Sequence, residues 1–364
     1  MSETDEMPGT AGTSATAGTS GTAGTSATAG TPGTAGRTPG TIGTSETIGT
    51  PQTDGGVRTG AGARLFVALP AVLDAGAPHE GLRRCTEAVL DAERAGADAV
   101  VLTGDRVPGA LEPTLVLALL AGATSRVGLV ADVRACDWEP YHLARELATL
   151  DVVSGGRAGV LLRHPADAAG QPVPSAHATA RAEEFLRVLT GLWDSFDDDA
   201  FVHDPESGVY FRPGSLHRLD HRGPHFQVAG PLNIARPPQG HPVVVTSWAA
   251  PAGPAAPYDY RLAPDGAPGH GHGAAVLGIG AREPAGETTE RARRLLTEQR
   301  PAVLVASFAD GPPARPALER LTGEVLPRLR QEQLLARAAD GPRGLRERLG
   351  LRRPEDRSSR ARRA

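Results

Sequence analysis

PYHLARELATLDVVSGGRAGV, residues 140–160, holds a helix, its stop and the strand that follows. Pro140 sits near the start of the helical pattern, where a missing N–H costs no hydrogen bond. Gly155 and Gly156 end it and permit the sharp entry into the next strand. That strand, RAGVLL (157–162), has no polar alternation. Arg145, Asp151 and Ser154 read as scaffold: Arg145 can pair with a carboxylate and Ser154 can close the helix end.

The same order repeats on either side. RLFVAL (64–69) is a strand, and HEGLRRCTEAVLDAERAG (79–96) is an amphipathic helix stopped by Gly96. DAVVLTG (98–104), LEPTLVLALLAGAT (111–124) and RVGLVADV (126–133) give strand, helix, strand, and ATARAEEFLRVLTGLWDSF (178–196) is the fourth helix. After an irregular segment, 197–240, come the strands PVVVTSW (242–248), AAVLGIG (274–280) and AVLVASF (302–308). Unalternating apolar strands separated by helices predict a parallel sheet buried on both faces. Over about 300 residues this fits a (β/α)8 barrel. A doubly wound sheet is the other option, but G-x-G-x-x-G is missing after the first strand, and GIGARE (278–283) is late and incomplete.

Residues 1–62 are nearly all Thr, Gly, Ala, Ser and Pro, with TAGTS recurring, and cannot repay backbone ordering. They are expected to be a disordered tail without the basic and apolar regions of an export signal. The terminal RSSRARRA reads as the end of a short basic disordered tail, 355–364. No apolar run is long enough to span a membrane, and a net charge of −4 gives no nucleic-acid footprint. Cys85 and Cys136 have no metal-like spacing, so reduced thiols and a cytoplasmic location are expected. All 38 basic residues are arginine, which excludes a P-loop lysine and a Schiff-base lysine.

Several ordered segments together carry a resemblance: EP at 112–113 with ATSRVGL (123–129), then PYHLARELATLDVVSGGRAG (140–159), AEEF (182–185) and LWDSFDDDA (192–200). DHRGPHFQVAGPLNIARPPQGHPVVV (220–245), LPRLR (326–330) and GLRERLGL (344–351) complete the set. This set resembles the luciferase-like flavin-dependent monooxygenases, in the branch of nitrilotriacetate and dibenzothiophene-sulfone monooxygenases. The resemblance implies a (β/α)8 barrel over 63–354, a reduced flavin, usually FMN from a separate reductase, and O2-dependent oxidation of a small organic substrate. A deazaflavin is the alternative cofactor.

The cofactor positions implied by the resemblance are largely substituted. The second strand's usual aspartate is Gly104, with Asp105 one beyond. The third strand's usual threonine is Asp132, an anion unfavourable beside a flavin in a dry pocket. The H-x-x-x-Y before the fourth helix becomes Ser175 and Thr179, with His177 two positions off. The fifth strand ends in Thr246, Ser247, Trp248, Ala249 and Ala250, where Ala250 replaces a serine and Trp248 a glycine. Asp105, Asp132, Thr179, Thr246 and Ser247 are therefore the candidate cofactor contacts, with Trp248 expected to plug the mouth or, as the alternative, to stack on a ligand. No catalytic residue is assigned. Two functions remain: a flavin-dependent monooxygenase with a remodelled site and weak FMN affinity, or a degenerate barrel that has lost the cofactor and serves as a partner subunit in a homo- or heterodimer.

His217, His221 and His225 recur every four residues, but Gly223 and Pro224 forbid a helical metal face. His270 and His272 in GAPGHGHG and the acidic SFDDDA (195–200) read as loops without metal. Between the fifth and seventh strands only 249–273 intervene, rich in Pro and Gly, with one strand-like piece, YDYRLA (258–263). This predicts an incomplete barrel: seven strands, or YDYRLA as a short edge segment that fills the sixth place without its helices, leaving an open seam that invites a partner.

Overall fold

The computed structural model describes residues 62–71, 77–104, 111–163, 175–248, 258–262, 273–308, 315–337 and 343–363. The expectation for the N-terminal tail falls outside them apart from Gly62, as do Asp105, Ala250, His270 and His272. Contacts divide the chain after Gln52, and every described residue belongs to the unit Thr53–Ala364.

The first half alternates β1 (Arg64–Pro70), α1 (Pro78–Arg94), β2 (Ala99–Thr103), α2 (Pro113–Ala123), β3 (Gly128–Arg134), α3 (Pro140–Val153), β4 (Ala158–Arg163) and α4 (Ala176–Trp193). Two hairpins follow: β5 (Phe201–Asp204) with β6 (Val209–Phe211), and β7 (His221–Arg222) with β8 (Gln227–Val228). Next come β9 (Val243–Thr246), β10 (Tyr260–Leu262), β11 (Gly273–Ile279), α5 (Ala285–Glu298) and β12 (Val303–Phe308). The chain continues through α6 (Arg315–Arg320), a π-helical turn (Leu321–Val325), α7 (Leu326–Gln331), α8 (Leu345–Arg348) and α9 (Arg357–Arg363).

Eight parallel strands close in the order β1-β12-β11-β10-β9-β4-β3-β2. The ring is complete, so neither the seven-strand sheet nor the open seam is formed. YDYRLA supplies the sixth strand, pairing Tyr260 and Arg261 with Val245 and Thr246, and Arg261 and Leu262 with Gly273 and Ala274. So short a strand persists because Asp259 anchors its start. The Asp259 amide donates to the Val244 carbonyl at 2.8 Å, and its carboxylate accepts from the Val244 amide at 2.9 Å. Arg346 then grips that carboxylate at both oxygens, at 2.7 and 2.8 Å. The polar alternation that suggested an edge is what sends Tyr260 into the barrel, fully buried.

Strand alternation sorts the two cores. Phe66, Ala68, Val101, Val130, Leu161 and Val245 fill the interior, while their neighbours in sequence join the layer under the helices. Leu345 and Leu349 close the N-terminal end. A Cβ on Gly128 would stand 2.6 Å from Leu345 Cδ1, so that glycine lets α8 approach.

The segment between α4 and β9 is tied down by His–carboxylate pairs, each through Nε2 at 2.9 Å: His217 to Asp197, His221 to Glu184 and His241 to Asp194. His221 lies on a hairpin strand and His225 between β7 and β8. Arg236, 1% exposed at its side chain, joins Asp194 at 3.0 Å and Asp198 at 2.8 Å. The C-terminal residues depart from the disordered tail expected for 355–364. They form α9, which bonds Ser358 Oγ to Asp197 at 2.6 Å and Arg360 to Asp194. A basic segment orders here because buried aspartates at the end of α4 need cations.

Replacing Asp259 by Ala strands the Arg346 guanidinium and frees the sixth strand. The expected cost is about 3 kcal/mol by urea unfolding, with faster amide exchange at Val244. Burial alone would raise the Asp194 carboxyl, but His241, Arg236 and Arg360 hold it below the ordinary carboxylate range. A depressed folded-state value stabilises fully above about pH 4 and loses that contribution as pH falls. Asp194→Asn should therefore flatten the acid limb of the stability curve measured by thermal melts.

Candidate functional site

In a barrel of this kind the site forms at the C-terminal strand ends. Thr103, Asp132, Arg163, Ser247 and Ser307 share the inward parity of Val101, Val130, Leu161, Val245 and Val305 at that end. Ser247 continues the ladder past β9, its amide donating to the Leu162 carbonyl at 3.0 Å.

Asp132 is the centre of the arrangement. Its side chain is 4% exposed, and Arg163 Nε donates to Oδ1 at 2.5 Å. The anion expected to repel a flavin is thus neutralised from the next strand. Sequence reasoning missed Arg163 because it ended the fourth strand one residue early. The signal was there: continued alternation past Leu162 points residue 163 inward.

Arg134 is the direct register partner of Arg163. Asp137 holds its Nε at 2.7 Å. From α4, Arg181 donates to the Ala135 carbonyl at 3.3 Å and lies 4.6 Å from the centre of the Phe226 ring. This fixes the N-terminal half of α4 beside the end of β3. Burial, with Asp137 beside it, raises the Cys136 thiol above its ordinary value.

The other candidates divide. Ser247 faces the mouth, half-buried. Thr246 does not: its parity is that of Val244, it is fully buried under the helix layer, and its hydroxyl has no hydrogen-bond partner among the described residues. Trp248 shares that parity and packs in the same outer core, so it plugs the layer behind the barrel and not the mouth. Thr179 sits half-buried in the first turn of α4, its amide donating to the Ser175 carbonyl at 2.9 Å. Ser175 is a helix cap, its hydroxyl accepting from the Ala178 amide at 3.0 Å. His177 packs edge-on against His225, ring centres 4.9 Å apart.

Gly104, where the resemblance implies an aspartate, is packed closely against the start of α2. A Cβ there would lie 2.8 Å from Pro113 Cδ and 3.3 Å from the Leu111 carbonyl. No side chain of any kind fits while α2 keeps its start. At the mouth stand the Thr103 and Ser247 positions and the Arg163 guanidinium paired with the Asp132 carboxylate.

Comparison with known proteins agrees with the barrel fold. A model of the luciferase-like monooxygenase family matches residues 63–254, just over half the chain, from β1 through β9. One of the subunits of pristinamycin IIA synthase from Streptomyces pristinaespiralis is 45% identical over 186 residues, covering 50% of this chain and 64% of that protein. Dibenzothiophene-sulfone monooxygenase of Rhodococcus erythropolis is 39% identical over 173 residues, covering 46% and 38%. The chain spans less than two thirds of the length of these relatives. Among solved structures, riboflavin lyase superposes with a TM-score of 0.65 at 18% identity, covering 82% of this chain and 98% of that one. EDTA monooxygenase from Chelativorans sp. BNC1 gives 0.61 at 20%, covering 80% and 99%. At such identities the likeness is one of fold. Among the described residues no helix is long and apolar enough to cross a membrane.

Gly104→Asp, the change that would imitate the family, is expected to lower stability by about 1–3 kcal/mol through overpacking against Pro113. A melting temperature equal to that of the unaltered chain would contradict the close contact.

Proposed function

The chain belongs to the luciferase-like monooxygenase family, and from that premise we propose that it oxidises a small organic substrate with O2 and a reduced flavin seated in the barrel mouth. FMN delivered by a separate reductase is the cofactor of this reading, and a deazaflavin is the variant. The supporting observation is the Asp132–Arg163 pair. It removes the electrostatic objection that Asp132 alone would raise, while the matched frame supplies the barrel.

The bound flavin would supply the oxygen chemistry. The chain's residues do the rest. Arg163, aimed by Asp132, offers a fixed cation to the ligand's negative charge. Thr103 and Ser247 offer hydroxyls at the polar edge of the mouth. Phe66, Val101, Val130, Leu161 and Val245 form the dry floor, and Leu345 and Leu349 close the far end against water.

A second polypeptide is part of the proposal. Two different subunits of pristinamycin IIA synthase are each similar to this chain, at 45% and 38% identity. A non-catalytic role within such a pair is the reading that remains if the cofactor does not bind. Anaerobic titration of the full chain with reduced FMN and with a reduced deazaflavin separates the two. Saturable binding with a Kd on the order of micromolar, about −8 kcal/mol, is expected for one of them. No binding of either at millimolar concentration would overturn the enzymatic reading.

A further inference from the structure

We infer that the outward face of α2 is the surface by which the chain pairs with a second copy of itself, the two helices antiparallel and Leu119 on the twofold axis. The inference concerns the helix layer and does not depend on what the mouth binds.

Exposure picks the face. No charged residue stands between Glu112 and Arg126. The exposed residues of α2 are Leu115, Ala118, Leu119, Gly122 and Ala123, and none of them carries a polar side chain. Leu115 is 67% and Leu119 58% exposed, one turn apart, and Leu111 just before the helix is 37% exposed. On α3, which Thr114 joins through its 2.6 Å bond to Glu146, Val152 and Val153 are exposed as well. A surface helix ordinarily turns polar residues to water. Single exposed leucines need no explanation, but a continuous group of them marks an interaction surface. At these exposures the three leucines and two valines leave roughly 450 Å² of apolar surface in water, more than half of the roughly 800 Å² that each partner contributes to a stable interface.

The pattern along α2 identifies the occupant as the same surface on another copy. Large exposed side chains stand toward its N-terminal end and small ones toward its C-terminal end. A Cβ added at Gly122 would meet nothing within 4 Å, so a second helix can come close there. With two copies antiparallel about Leu119, Leu115 of each meets Gly122 and Ala123 of the other. The same pairing sets Glu112 of each copy opposite Arg126 of the other, because both lie seven residues from Leu119. Parallel helices would instead set Glu112 on Glu112 and Arg126 on Arg126. A self-complementary patch closed by a twofold axis is the ordinary form of a homodimer contact.

The test is the association state of the full chain by sedimentation velocity, with no flavin added. The unaltered chain should be a dimer at concentrations on the order of 10 µM. Leu119→Arg and Leu119→Asp each set two like charges face to face on the axis, and each should raise the dissociation constant at least about a hundredfold. Leu119 is 58% exposed in the single chain, so both variants should keep the far-ultraviolet circular dichroism of the unaltered chain. Mixed in equal amounts, the two variants should recover the dimer, because unlike charges then meet on the axis. That recovery is the readout a merely structural role for Leu119 would not give. An unaltered chain that stays monomeric at about 100 µM overturns the inference. So does a dimer that the folded variants leave unchanged, and so do monomeric variants that stay apart on mixing.

Discussion

Closure of the barrel depends on a single ion pair placed where the sequence is thinnest. The sixth strand has three residues and two register pairs on each side, too little ladder to hold itself. Arg346 reaches from the first turn of α8 to Asp259 and adds bonds to the carbonyls of His241 and Arg352 at 3.1 and 3.2 Å. It thereby joins β9, β10 and the C-terminal segment at one point. The helix that carries Arg346 also carries Leu345, and its C-cap Leu349, into the barrel floor. One short helix therefore closes the ring and plugs it, and the mouth exists because the ring is closed.

The chain meets its other buried polar demands with arginine as well. The hydrogen bonds of Arg157 among the described residues go to neutral oxygens. Five of them surround it, from Ala121, Thr124, Val127 and Ser154, at 2.7 to 3.1 Å. A guanidinium can fill such a cage because its donors are spread around a plane and its charge is diffuse, while an ammonium offers three donors at one point. Arg157 thus ties the end of α2 to the start of β4, while Glu93 accepts from the amides of Ser125, Arg126 and Val127 at the adjoining turn. Asp151 does the same for α3, taking the Ala158 amide and both the backbone and side-chain N–H groups of Gln239. These groups sit at the ends of elements and leave the inner layers apolar.

This division explains what the sequence made legible. Seven strands and the first four helices follow from apolar runs and glycine stops, because burial on both faces of a strand leaves a local signature. Asp151, Ser154 and the two glycines read as scaffold for the same reason. YDYRLA was visible as a strand, but its place in a closed ring depends on Arg346, more than eighty residues away, and no local pattern encodes that. The inward side of Ser247 and the outward side of Thr246 and Trp248 are fixed by register, which a residue-by-residue comparison of strand ends does not supply. The ordering of α9 likewise depends on aspartates in α4 and the segment after it.

Asp132 shows the same limit at the candidate site, and magnitude decides its meaning. A bare carboxylate about 4 Å from an anionic ligand costs about 4 kcal/mol at an effective dielectric of 20, nearly a thousandfold in affinity. Taken alone, that substitution argues against a flavin. With Arg163 bonded to it, the opposed terms are of similar size and the repulsion is largely cancelled. The guanidinium is the member of the pair nearer solvent. Charge at the mouth is a property of the pair and not of either position. The aspartate that stands where the resemblance implies a threonine hydroxyl also supports a cation on the next strand, so the charge there follows from the geometry of two strands together.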